Sequence, residues 1–162
     1  MRIRYLLAGA AVLAFAAPAW AQSTPVSFSP EFQTSLEEDY GVREGEVLRA
    51  ALIAAIAREL SPRGVSADAA NIEVTIVDAE PNRPTMQQMF DRPSLDMSSI
   101  SIGGAELRAT IRGANGATTE VTHSRYNHSL SDIVGPAMTW TEARRAIRQF
   151  AVKVADAYIA TP

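Results

Sequence analysis

The 162-residue chain carries 15 basic and 18 acidic residues, a formal charge of −3, 47% apolar residues and no cysteine. That balance gives no concentrated positive surface for nucleic acid. The missing cysteines exclude disulfides, thiol chemistry, cysteine-ligated zinc and an N-terminal lipid anchor, and the length suits one domain with a real core rather than two.

Met1-Arg2-Ile3-Arg4 is a short basic start, Leu6 to Ala17 an almost uninterrupted apolar run, and Ala19-Trp20-Ala21 sets small residues at the two positions a signal peptidase reads. These are the three regions of a secretory signal in order. The run falls short of the roughly 20 residues of a spanning helix, and Pro18 breaks it. The expectation is a leader at 1–21 cleaved after Ala21, with no transmembrane anchor afterwards. Residues 22–162 then form a single domain, and loss of Arg2 and Arg4 takes the formal charge from −3 to −5. Cysteine-free secretion behind an alanine-rich leader fits a Gram-negative periplasm.

Val26 and Phe28 alternate with polar neighbours as a short edge strand. Ser29-Pro30-Glu31 is a helix start, with a capping serine, a proline suited to the first turn and an acid at the positive end. Phe32, Leu36 and Tyr40 continue on one face to Gly41. Val47, Leu48, Ala51, Leu52, Ala55, Ile56 and Leu60 trace a second stripe over 43–60, ended by Pro62 and Gly64. Gly45 weakens the first turn of that helix, so 31–60 reads as two helices.

Ile72, Val74 and Ile76 alternate as a strand. Residues 78–99, with Pro81, Pro84 and Pro93, read as a long irregular loop, either sealing the core edge with Met86, Met89, Phe90, Leu95 and Met97 or serving function. Ile100 to Ile111 reads as a strand with a bulge at Gly103-Gly104, because the apolar parity changes there. Asn115-Gly116 marks a hairpin. A three-residue loop, Ala114 to Gly116, pairs Ile111 with Thr119, Ala109 with Val121 and Leu107 with His123, and keeps Val121 on the apolar face. The partner strand spans 118–126. Thr139-Trp140-Thr141-Glu142 is a capping box opening a helix over 139–159, whose stripe is Ala143, Ile147, Phe150, Ala151, Val154 and Tyr158. The order β-α-β-loop-β-β-α implies an α+β two-layer sandwich, a small and mainly antiparallel sheet with helices packed on one face.

Chemistry is sparsely marked, and no catalytic residue, cofactor or metal is assigned. His123 and His128, with Asp132, are candidates for a small metal-dependent or hydrolytic site. Their spacing matches no specific metal motif, and His123 beside Leu107 also reads as a hydrogen-bonded core histidine. Ser124, Ser129 and Ser131 lie near, without the G-x-S-x-G nucleophile elbow. Asp78, Glu80, Asp91 and Asp96 lack calcium-loop spacing and read as solvated acids. Arg144, Arg145 and Arg148 stand near the start of the last helix, a surface suited to an acidic partner, and Met86, Met89, Phe90 and Asp91 form the other candidate partner-binding group.

The segments “YGVREGEVLRAALIAAIAREL”, “NIEVTIVDAEPNRPT”, “SISIGGAELRATIRGANG” and “WTEARRAIRQFAVKVADAY” together resemble the small α+β domains of uncharacterised Gram-negative envelope proteins, among them lipoproteins that assist assembly of other envelope components. The resemblance implies a periplasmic accessory or binding role, non-enzymatic, with an envelope protein as partner. It carries over no catalytic residues, and the lipoproteins' anchoring cysteine has no counterpart here. The alternatives are the histidine-centred enzyme and a structural subunit that self-associates to bury its apolar loop.

Overall fold

The computed structural model describes residues 24–67, 70–133 and 137–161, and the leader read at 1–21 lies outside them. Alternating sequence produces four strands, β1 (Val26–Phe28), β2 (Ile72–Glu80), β3 (Gly104–Arg112) and β4 (Thr118–Tyr126), side by side in that order. β1 runs parallel to β2, and the other neighbours are antiparallel. Ile72, Val74, Ile76 and Ala79, Ala105, Leu107, Ala109 and Ile111, and Val121 are buried on one face. Glu73, Arg108, Glu120 and Thr122 point the other way into solvent. That split is what a sheet covered on one side requires.

The hairpin has the register read from its side chains, with Ile111 opposite Thr119, Ala109 opposite Val121 and Leu107 opposite His123. Gly116 takes φ +84° in its turn, a conformation cheap only for residues without a Cβ. The bulge read at Gly103-Gly104 is absent: β3 begins at Gly104 and its pairing to β4 is unbroken. The irregularity lies instead in β2, where Ile76 faces Leu107 but Asp78 faces Glu106, leaving Val77 as the extra residue. Gly104 serves close approach. A Cβ there would overlap the Arg125 carbonyl and the Tyr126 ring, and across this gap the Tyr126 hydroxyl donates to Asp78 Oδ2 at 2.5 Å.

Four helices cover the apolar face or its end. α1 (Pro30–Ser35) starts as read, with Ser29 Oγ accepting the Phe32 N–H at 3.1 Å. A π-helical turn, Leu36–Tyr40, and Gly41 at φ +95° separate it from α2 (Val42–Leu60), so 31–60 is indeed divided. Gly45 is not the weak point. It is buried, and a Cβ there would stand 2.8 Å from Leu36 Cδ1 and 3.0 Å from Phe28 Cζ, so the glycine lets the two helices and β1 close together. Leu48, Leu52, Ile56 and Leu60 recur every four residues and are completely buried. α4 (Thr141–Ala160) lies beside α2 and over β3 and β4. Its Ala143, Ala146, Ile147, Phe150, Ala151, Val154 and Ala155 form the matching buried stripe. Full burial of a side chain such as Ile147 or Phe150 stabilises by about 1.5–3 kcal/mol relative to exposure. The result is a small α+β domain in two layers, its four-stranded mixed sheet not closed into a barrel.

Two local expectations are corrected. Residues 78–99 are not one irregular loop: β2 continues to Glu80, and α3 (Met86–Asp91) follows, opened by a capping box between Thr85 and Gln88. The box read at Thr139–Glu142 does not form. α4 starts at Thr141, and the Glu142 backbone N–H is capped from outside the helix by Asn82.

Candidate functional site

Asn82 decides the shape of the end of the domain where α2, α3 and α4 begin. It is completely buried. Its backbone N–H donates to the Thr139 carbonyl at 2.7 Å, and its own carbonyl accepts the Ser101 N–H at 2.9 Å. Its side-chain Oδ1 accepts the Glu142 N–H at 2.8 Å, and Nδ2 donates to the Ser101 carbonyl at 3.2 Å. One residue of the β2–α3 link thus caps α4 and pins the segment leading into β3. Gly103 packs flat on it, since a Cβ there would lie 2.6 Å from the amide. The adjacent Arg83 donates to the Ala137 carbonyl at 2.5 Å and the Met97 carbonyl at 2.6 Å. An ion pair of 2.7 Å between Arg92 and Asp39 fastens the far end of α3 to the π-helical turn.

Because polar bonds hold these links, their apolar side chains are not needed in the core. Met86 is 74% exposed, Phe90 85% and Met138 72%. The sealing role considered for the Met and Phe side chains of 78–99 is therefore not what they do; Met89 alone of α3's three large apolar residues is half-buried. Met86 lines a groove of about 810 Å³ with Tyr40, Val42 and Val47. A second groove of about 510 Å³ is lined by Val47, Met138, Trp140, Arg144 and Arg148. Glu44 and Val47 belong to both, so the two form one surface over the start of α2. Its floor is fixed by Trp140, which is buried, donates Nε1–H to Glu44 Oε2 at 2.6 Å and stands edge-on to Tyr40 at 5.9 Å.

The rim is cationic in a chain of net negative charge. Arg43, Arg144 and Arg148 make no ion pair among the described residues, while Glu44 is engaged by Trp140 and Glu46 by Arg49. Arg145 faces elsewhere. It pairs at 3.0 Å with the completely buried Glu142, which also meets Arg125 at 3.4 Å. The two partner-binding groups read from the sequence therefore meet in part. Met86, Arg144 and Arg148 share this surface, and Val42, Val47, Met138 and Trp140 complete it. Arg145, Met89, Phe90 and Asp91 are not among its lining residues; Phe90 and Asp91 are exposed, and Asp91 accepts a hydrogen bond from Gln87 at 3.0 Å.

On the other side of Tyr40 a smaller cleft, about 260 Å³, is lined by Glu80, Pro84, Gln88, Arg92, Ile100 and Ile102. Burial, with Glu80, Asp78 and Asp39 nearby, pushes the Tyr40 phenol up to about 12. Burial and then Asp78 raise the Glu80 carboxyl above its ordinary value. At neutral pH Tyr40 is a hydrogen-bond donor and not a base.

The histidine group does not assemble. His123 lies on the helical side of β4, with Nε2 3.2 Å from Gln149 Oε1 and Nδ1 3.1 Å from Lys153 Nζ. Burial, then the Lys153 charge, lower its pKa against the opposing Gln149 bond. His128 is exposed and gives its backbone N–H to Asp132. By accepting the Ser129 and His128 N–H groups, Asp132 is held below the usual carboxylate range. Its carboxylate thus caps the 3₁₀ turn Leu130–Asp132. Among the described residues no three His, Cys, Asp or Glu side chains are grouped to hold a metal ion, and none of the serine hydroxyls bonds a histidine. Compared with models of known protein families, with curated proteins and with solved structures, the chain matches none of them.

Proposed function

We propose that this protein is a periplasmic, non-enzymatic binding or accessory domain for another envelope component, and that the groove over the start of α2 receives it. One observation carries the reading: Val42, Val47, Met86 and Met138 are exposed around a floor anchored by Trp140. Large apolar side chains gathered in one exposed concavity mark interaction surfaces more than scattered ones do, and unbranched methionines adapt to a partner's shape. Arg43, Arg144 and Arg148 favour a partner that brings acidic residues beside its apolar ones. The periplasmic address rests on the basic start, apolar run and Ala19-Trp20-Ala21 of the sequence. No helix among the described residues is long and apolar enough to cross a membrane. The histidine-centred enzyme has no comparable observation in its favour.

Photo-crosslinking residues at Val47 and Met138 in intact cells test this, with Thr110 on the open face of the sheet as control. The expected result is a discrete crosslinked product from the groove positions, absent at Thr110 and lost in the double variant Arg144→Glu/Arg148→Glu. Equal labelling from Thr110, or a product indifferent to the charge reversal, would count against the groove.

A further inference from the structure

The two edges of the sheet differ. β1 is three residues long, lies between Pro25 and Pro30, and turns at once into α1. That is a blunted edge. β4 is nine residues, TTEVTHSRY, with no proline, no lysine and no break in its pairing to β3. Thr118, Thr119, Val121, Thr122 and Tyr126 are β-branched or aromatic residues suited to strands, and the strand's formal charges, Glu120 and Arg125, are of opposite sign.

The direction of its backbone follows from the bonds at either end. Gly113 N–H donates to the Ala117 carbonyl at 2.8 Å, and Asn127 N–H to the Gly103 carbonyl at 3.0 Å. Both are odd-numbered pairs, so in an antiparallel ladder the odd residues of β4 face β3 and the even ones face away. Thr118, Glu120, Thr122, Ser124 and Tyr126 thus direct N–H and C=O groups to the open edge. None of these backbone groups has a partner among the described residues outside the sheet.

We infer that β4 pairs antiparallel with β4 of a second copy about a two-fold axis at Thr122, joining two four-stranded sheets into one of eight. Thr122 is the middle residue of the strand, so only this centre sets all nine residues of each copy opposite one another. Even residues then meet even residues: Thr118 faces Tyr126, Glu120 faces Ser124, and Thr122 faces itself. Each such pair exchanges two backbone hydrogen bonds. On the helical side Thr119 faces Arg125 and Val121 faces His123. No like charges stand opposite. The Ser124 hydroxyl meets the Glu120 carboxylate, and a threonine pair at the centre is a favourable cross-strand contact. Moving the axis to residue 120 would set Glu120 against itself, which disfavours that register. None of the groove residues lies on β4, so pairing leaves the proposed partner surface open, and either reading can fail alone.

The test combines mass and register in purified protein. Light scattering across a concentration series is expected to give twice the chain mass at high concentration. Thr122→Lys, exposed in the monomer but facing its own copy across the axis, is expected to hold the mass at one chain, with the thermal midpoint of the natural protein at dilutions where it too is a single chain. Since the chain has no cysteine, Thr122→Cys gives a single thiol per copy, and facing strand residues are close enough for a disulfide. Mild oxidation is expected to link most Thr122→Cys chains into dimers and far fewer Thr118→Cys chains, whose thiol faces Tyr126. A single-chain mass at every concentration would overturn the inference. So would a dimer untouched by Thr122→Lys, or equal linking from both cysteine positions.

Discussion

The middle of the domain and the end where its helices begin are held together by different forces. In the middle of the domain Ile147, Phe150 and Val154 of α4 share one buried apolar cluster with Leu107, Ala109 and Ile111 of β3. Among the described residues the polar contacts between α4 and the sheet are confined to β4, where His123 meets Gln149 and Lys153 and Arg125 meets Glu142. At the end, Asn82, Arg83 and Glu142 bind loops to helix starts through hydrogen bonds and ion pairs, and Met86, Met138 and Val42 stay in solvent. Burial stabilises without specifying direction, whereas a hydrogen bond fixes a loop without consuming its side chains. An end built the second way can hold a fixed shape and still keep apolar surface for a partner.

The largest effect should come from breaking the middle. Phe150 is completely buried, and Phe150→Ala removes a ring whose space the neighbouring strands cannot refill. The expected loss is about 3–5 kcal/mol, read as a lower urea midpoint with an unchanged slope. Met86→Ala at the exposed end is expected to change stability by less than about 0.5 kcal/mol. Similar losses from both variants would mean that α3 is part of the core, and the contrast between the regions would disappear.

Asn82→Ala tests the end directly. It removes the acceptor that caps the buried Glu142 N–H and the donor to the part-buried Ser101 carbonyl. Loss of a cap and an unpaired buried group together should cost about 2–3 kcal/mol. Hydrogen exchange should localise the loosening to the start of α4 and residues 100–103, with the middle of β3 still protected. Uniform loss of protection would show that the end and the middle unfold as one unit.

The contrast also explains what was legible in the sequence. Periodicity records burial, so most of the stripes of α2 and α4, the β4 register and the layered α+β arrangement could be read from spacing alone; Val47, read on the α2 stripe, is instead 38% exposed at its N-terminal end. The end has no period, because Asn82 acts on residues about 20 and 60 positions away. Ile100 and Ile102 alternate like a strand, yet the intervening Ser101 gives both backbone groups to Asn82, and pairing to β4 starts only at Gly104. Capping boxes show the limit most sharply. Thr85-Met86-Gln87-Gln88 carries the pattern, and it forms; among prolines it reads as loop. Thr139-Trp140-Thr141-Glu142 carries it too, and fails because Asn82 caps the helix while Arg125 and Arg145 hold the Glu142 carboxylate. The groove was half-legible: Met86, Arg144 and Arg148 stood out, but only the fold sets Val42 and Val47 between them.

His123 stands where the two kinds of stabilisation meet, with one side toward the apolar layer and its nitrogens on Gln149 and Lys153. It should give the smallest effect. Its folded pKa is lowered, chiefly by burial and then by Lys153 and Arg125, with Gln149 opposing. The folded state thus holds the neutral ring, while the unfolded chain takes up a proton near pH 6.5. Sign follows from linkage: the stabilisation is complete above the unfolded value and is lost as pH falls through the window beneath it. Urea midpoints for the natural protein should therefore decline between about pH 7 and pH 5.5, above the range where ordinary carboxylates titrate. In His123→Gln, which keeps a polar side chain at that position but cannot titrate, the decline over the same interval should be smaller. If both proteins decline equally, the ring is as free to protonate in the fold as out of it, and His123 belongs with the solvated surface.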